Sequence, residues 1–112
     1  MNSRILKHTK MKLILQPNET IIMAGNSKML HLDQQVQGKL IVTNQRIYFR
    51  SLKESCRDCD REITPTEIRD LIYFNTFWLI PNGMKIITRN GDENQFIVSN
   101  RNEWAKLITK MY

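Results

Sequence analysis

The chain has 112 residues, enough for one domain with its own core and too few for a second of ordinary size. A hydrophobic fraction of 41% with 25% charged residues excludes wholesale disorder, and no apolar run approaches the length that spans a bilayer. Seventeen basic against eleven acidic residues leave a net charge of +6, which favours acidic lipid, membrane surface, nucleic acid or acidic protein as partner, although the same balance also serves solubility alone.

Residues 1–17 read as a partly flexible lead-in. The opening "MNSRILKHTKMKLIL" is basic but lacks an uninterrupted apolar stretch and a small-residue cleavage site, so no signal peptide is expected. Two cysteines without an export signal point to a reducing, cytoplasmic setting and no disulfide. "NETIIMAGN" at 18–26 has a β-rich centre and predicts a first strand ending at Gly25-Asn26. Residues 27–37 either continue that strand or form a longer connection.

"GKLIVTNQRIYFRS" at 38–51 predicts a hairpin with Asn44-Gln45 as its two-residue turn. That register sets Val42 against Ile47, Leu40 against Phe49 and Lys39 against Arg50. Leu40, Val42, Ile47 and Phe49 then share the core face, because side chains alternate across a sheet. The other face, expected toward solvent, carries Lys39, Thr43, Arg46 and Arg50, with Ile41 and Tyr48 among them.

Residues 53–60, "KESCRDCD", predict a polar loop, "REIT" a short strand, and "TPTEI" a tight turn or single helical turn. Residues 68–75 and 77–80 are β-branched and aromatic and read as strand, with Pro81-Asn82-Gly83 as the turn after them. "MKIITRNGDENQFIVSN" predicts a second hairpin turning within residues 90–93. The period then changes: Trp104, Leu107, Ile108 and Met111 lie on one face of a terminal helix, with Asn100 and Glu103 placed to form a capping box. The helix is expected to close the strand series, with Trp104 buried as its anchor.

"GKLIVTNQRIYF", "EITPTEIRDL" and "IPNGMKIITRNGDENQFIVSNRNEW", in that order, resemble the GRAM domain of bacterial proteins. The resemblance covers roughly residues 18–112 and fades over 53–60. It implies a mainly β, pleckstrin-homology-like partly open barrel: two antiparallel sheets, about seven strands, and a C-terminal α-helix capping one end. It also implies a non-catalytic adaptor of a family in which some members bind anionic lipids, some bind peptides and many have no known ligand; no cofactor is expected. Function still has to be argued from a site.

An antiparallel meander alternates its connections between two ends. The rim away from Asn44-Gln45 is therefore expected to gather Lys28, Lys39, Arg50, Lys53 and Arg57 as a lipid- or anion-binding set, diluted by Glu54, Asp58 and Asp60. Cys56 and Cys59 form a Cys-x-x-Cys. Zinc needs two more ligands, the only histidines are His8 and His31, and a redox dithiol favours a helix N-terminus. Two incidental loop cysteines are the expected reading. Of Tyr73, Phe74, Phe77 and Trp78, those alternating onto one strand face are expected in the core and the others half-buried, with "FWL" kept as a candidate for membrane insertion. No phosphate loop, nucleophile–base pair or metal-spaced carboxylate cluster is present, so no enzyme and no metal site are expected.

Two functions follow as expectations. The first is docking to anionic lipid or a membrane surface through the basic rim. The second is a protein-interaction module that takes a peptide or partner at a strand edge or in the cleft beside the helix. Nucleic acid is disfavoured, because the only helix is needed for the core.

Overall fold

The structure, a computed structural model, describes residues 14–52 and 56–112. Alternating apolar side chains drive the chain into seven strands: β1 (Ile21–His31), β2 (Gln34–Thr43), β3 (Ile47–Ser51), β4 (Arg61–Ile63), β5 (Ile68–Thr76), β6 (Ile80–Thr88) and β7 (Glu93–Val98), followed by α1 (Arg101–Thr109). Single 3-10 turns at Arg57–Cys59 and Pro65–Glu67 flank β4. All pairings are antiparallel, in the order β4-β3-β2-β1-β7-β6-β5. The sheet curls into a half-barrel around Leu40, Val42, Ile47, Phe49, Met84, Ile86 and Phe96, all essentially without exposure. The barrel is mainly β with one C-terminal helix, as the resemblance implies, but its strands form one continuous sheet.

The central hairpin keeps its expected register, from Val42 opposite Ile47 to Lys39 opposite Arg50. Neither Asn44 nor Gln45 has positive φ. The turn is held instead by the Thr43 hydroxyl, which accepts from the N–H groups of Gln45 and Arg46, both at 3.0 Å.

β1 runs straight through Gly25-Asn26, so the expected break there is wrong. Gly25 serves the helix: a Cβ on it would lie 3.2 Å from the Trp104 indole. Trp104 is buried, as are Ala105 and Ile108, while Leu107 and Met111 pack against the same core. β1 pairs with β2 along its length but with β7 only over Ser27–Leu30, which leaves its first half free to receive α1. The true end of β1 is a two-residue turn at Leu32-Asp33, both with positive φ. Gly38 has a stricter task. A Cβ there would collide with the Arg50 carbonyl oxygen and the Phe49 ring. Gly38→Ala is expected to cost about 1–3 kcal/mol, read as a lowered urea midpoint; an unchanged midpoint would show that β2 and β3 separate freely.

Two further expectations are corrected. Pro81-Asn82-Gly83 lies inside β6, where the β5–β6 register shifts between Phe74 and Thr76, so the missing proline N–H breaks no regular ladder. Asn100 precedes α1 in a left-handed conformation without a side-chain hydrogen bond, so no capping box forms with Glu103. The box-like pair is elsewhere: the Glu67 carboxylate accepts from the Thr64 N–H at 2.8 Å and the Thr64 hydroxyl at 2.9 Å.

The outer face of β2–β3 is not all solvated. Ile41, Thr43 and Arg46 are buried beneath residues 14–20. The Glu19 carboxylate accepts from the Thr43 hydroxyl at 2.5 Å, the Gln16 N–H at 2.8 Å, and Arg46 Nε and Nη2 at 2.8 and 3.1 Å. Arg46 Nη1 reaches Glu62 at 3.2 Å, and Nη2 donates to the Ile14 carbonyl at 3.0 Å. Burial alone would push the Glu19 carboxyl up, but its hydrogen bonds from Arg46, Gln16 and Thr43 outweigh that and hold it below the ordinary carboxylate value.

Candidate docking surface

The β5–β6 hairpin ends at Phe77, Trp78 and Leu79, which are 81%, 91% and 84% exposed. The turn closes through the Leu79 N–H to the Thr76 carbonyl at 3.2 Å, and both aromatic residues have positive φ, 50° and 66°. A bulky L-residue in this region costs about 1–2 kcal/mol, which is why asparagine and glycine normally fill such turns. Two large rings are thus held in strained backbone and in water at the same point. The reading of Phe77 and Trp78 as core or half-buried is overturned. Phe74 is half-buried and Tyr73 remains 44% exposed. The signal that marked the tip in the sequence is the "FWL" run, the candidate for insertion.

The base of this hairpin is pinned by α1. Arg101 Nη1 donates to the carbonyls of Phe74 and Gly83 at 2.9 and 3.3 Å and to Asn75 Oδ1 at 3.2 Å. Its guanidinium carbon lies 4.0 Å from the Tyr73 ring centroid, a cation–π contact. Tyr73 donates in turn to Asn102 Oδ1 at 3.1 Å, and Thr76 to Asn82 Oδ1 at 2.8 Å. The root of the hairpin is therefore tied to α1, and Phe77, Trp78 and Leu79 project beyond it. Arg101 gave no sign of this role in the sequence, where it reads only as a charge near a helix start.

Of the five expected basic residues, Lys28, Lys39 and Arg50 occupy the outer wall of β1, β2 and β3. Lys39 is opposite both Arg50 and Asn26, and Lys28 is opposite Gln37. Directly opposed residues share a face, and the diagonal Lys28–Lys39 spacing is about 7–8 Å by sheet geometry. Arg50 is committed: its Nε pairs with Asp60 at 3.2 Å and Nη1 donates to the Tyr48 hydroxyl at 2.9 Å. Neither Lys28 nor Lys39 has an ion-pair partner among the described residues. Lys53 and the Arg57 side chain lie outside the described residues.

Cys56 and Cys59 are joined as a disulfide, with Cys59 fully buried against the core. This corrects the reading of two incidental cysteines, and cysteine usage no longer argues for a reducing compartment. Among the described residues no cluster is arranged to hold a metal ion, and no helix is long and apolar enough to cross a membrane.

A family model described as the GRAM domain matches residues 5–112. No curated protein shows a significant match to the sequence. Two solved structures are similar. The C-terminal domain of an unknown protein from Leishmania infantum has a TM-score of 0.71 and 18% identity over 85% of this chain and 86% of its own. The Vps36 N-terminal PH domain has a TM-score of 0.71 and 13% identity over 96% of this chain and 88% of its own. At such identities the likeness carries the fold, and the family model carries the membership: this chain belongs to the GRAM domain family, on a pleckstrin-homology-like barrel.

Proposed function

We propose that the protein is a non-catalytic module that docks on an anionic membrane surface, with the β5–β6 tip inserted among the lipids and Lys28 and Lys39 held over the headgroups. The observation that carries this reading is the exposure of Phe77, Trp78 and Leu79 in a turn where two of them sit in strained backbone. Such an arrangement lowers stability twice over, by backbone conformation and by wet apolar surface, and strain of this kind marks functional positions. An exposed apolar tip together with two lysines that have no ion-pair partner among the described residues matches a bilayer interface, where tryptophan concentrates and each basic side chain adds about 1 kcal/mol. The alternative of a peptide at the β5 edge has less support, because the Leu71 N–H on that strand already donates to Asp70 Oδ1 at 2.9 Å.

The test is co-sedimentation with neutral and with phosphatidylserine-containing vesicles, read together with tryptophan emission. Trp104 is already buried, so a blue shift on adding acidic vesicles reports Trp78. Equal pelleting with both vesicle types and unshifted emission would sink the reading. Reversing both lysines, Lys28→Glu with Lys39→Glu, is expected to weaken binding by about thirtyfold at low salt and far less at high salt.

A further inference from the structure

In the β3–β4 connection Cys56 leads into the 3-10 turn Arg57–Cys59, and a disulfide joins it to Cys59 three residues on. As a staple this bond is redundant. Loop-closure entropy grows with the length of chain enclosed, and a separation of three residues encloses very little. The turn is also held by other means. The Cys59 N–H donates to the Cys56 carbonyl at 3.1 Å. Asp60 accepts from the Ser51 N–H at 2.8 Å and pairs with Arg50 Nε at 3.2 Å. Arg61 Nη1 donates to the carbonyls of Asp58 and Asp60. The two sulfur-bearing residues differ in access: Cys59 is fully buried in the core cluster that holds Phe49 and Ile63, whereas Cys56 is half-buried against it.

We propose that Cys56 and Cys59 form a reversible thiol-exchange site, opened by low-molecular-weight thiols through attack on Cys56. A bond that adds little to the fold can break without unfolding it, and access decides which sulfur is attacked. The thiolate of the small thiol forms a bond to Cys56 Sγ. The Cys56–Cys59 bond breaks, its electron pair passes to Cys59 Sγ, and that sulfur takes up the proton the small thiol released. Cys56 then carries the small thiol as a mixed disulfide. A second small thiol attacks the outer sulfur of this adduct, which frees Cys56 as a thiol. Two small thiols have then been oxidised to one small disulfide, and the protein disulfide has been reduced. In the opposite direction a small disulfide loads Cys56, and Cys59 displaces the adduct. The backbone bond from Cys59 to Cys56 keeps the pair within reach in every state. Their Cα separation of 5.4 Å lies inside the ordinary disulfide range of about 4.4–6.8 Å, so the bond reforms without backbone movement. Exchange requires no membrane and stands apart from the docking reading.

The experiment incubates the whole chain, without denaturant, in buffers of graded reduced-to-oxidised glutathione ratio. Acid quenching, alkylation and peptide mass spectrometry then assign the state of each cysteine. Full reduction is expected at the reducing end, and at intermediate ratios a glutathionyl adduct on Cys56 and none on Cys59. In Cys59→Ala, oxidised glutathione should load Cys56 and the adduct should persist, because the sulfur that displaces it is gone. In Cys56→Ala, loading of Cys59 should be about tenfold slower or more, since access governs exchange. Two readings need no variant. Pulsed alkylation of the reduced parent should label Cys56 before Cys59, and the amide NMR spectrum of the reduced parent should stay dispersed, with changes centred on the β3–β4 connection. Reduction that occurs only in urea, or collapse of the spectrum on reduction, overturns the proposal in favour of a structural staple. Adducts shared equally between the two cysteines, or found on Cys59 alone, overturn it as well.

Discussion

A variant in which Phe77→Asn and Trp78→Gly are combined is expected to melt higher than the parent and to stop sedimenting with acidic vesicles. Both signs follow from one turn. The two aromatic residues have positive φ, which asparagine and glycine adopt with little penalty, so relief of about 1–2 kcal/mol per residue is available to the folded state. A gain of even 1 kcal/mol raises the midpoint of a domain of this size by roughly 4–8 °C. Little packing is lost in exchange, since both rings are more than four-fifths exposed. In the membrane the balance reverses. Burying a large apolar side chain is worth about 1.5–3 kcal/mol, so losing two rings should lower vesicle partitioning about a hundredfold or more. Thermal melts by circular dichroism and vesicle sedimentation decide the matter on the same sample. A variant that melts lower and still binds would show that the rings support the fold and that another surface meets the partner.

Arg46→Met carries the largest expected loss of stability, about 3–5 kcal/mol at neutral pH, because it strands the buried Glu19 carboxylate without its cation. Glu19→Gln added to Arg46→Met should recover much of that loss. The acid dependence should invert as well. In the parent the folded-state pKa of Glu19 is depressed below its ordinary value of 4.5. The pair's contribution is therefore fully present above that value and disappears as pH falls through the folded-state pKa. In Arg46→Met, burial is left as the main influence on the carboxyl and pushes its pKa up, so acidification relieves the defect. Urea unfolding at neutral and mildly acidic pH measures both slopes. A gap between parent and variant that stays constant with pH would refute the role given to Glu19.

How far these features are legible before folding depends on whether their cause is local. The β2–β3 register is written in alternation alone, and the core face of Leu40, Val42, Ile47 and Phe49 follows from it. The helix face follows equally from the spacing of Trp104, Leu107, Ile108 and Met111. Turns are less legible where neighbours enforce the backbone. Leu32-Asp33 and Phe77-Trp78 carry no glycine, whereas Pro81-Asn82-Gly83 has every local mark of a turn and lies in a strand. Arg46 is the sharpest case. Its position on an alternating strand points to solvent, and only a carboxylate 27 residues earlier in the chain makes burial tolerable. Of the docking surface, the basic residues and the apolar run were visible as types. Their relation was not, because Lys28 and Asn82 become neighbours only through β7, which pairs with both β1 and β6.

The guanidinium of Arg101 belongs to the first turn of α1 and also holds the root of the hairpin. The two arms of the hairpin are thereby joined to the stopper of the barrel through one planar group and not through strand pairing alone. The projecting loop and the terminal helix thus share one planar side chain as their common anchorage.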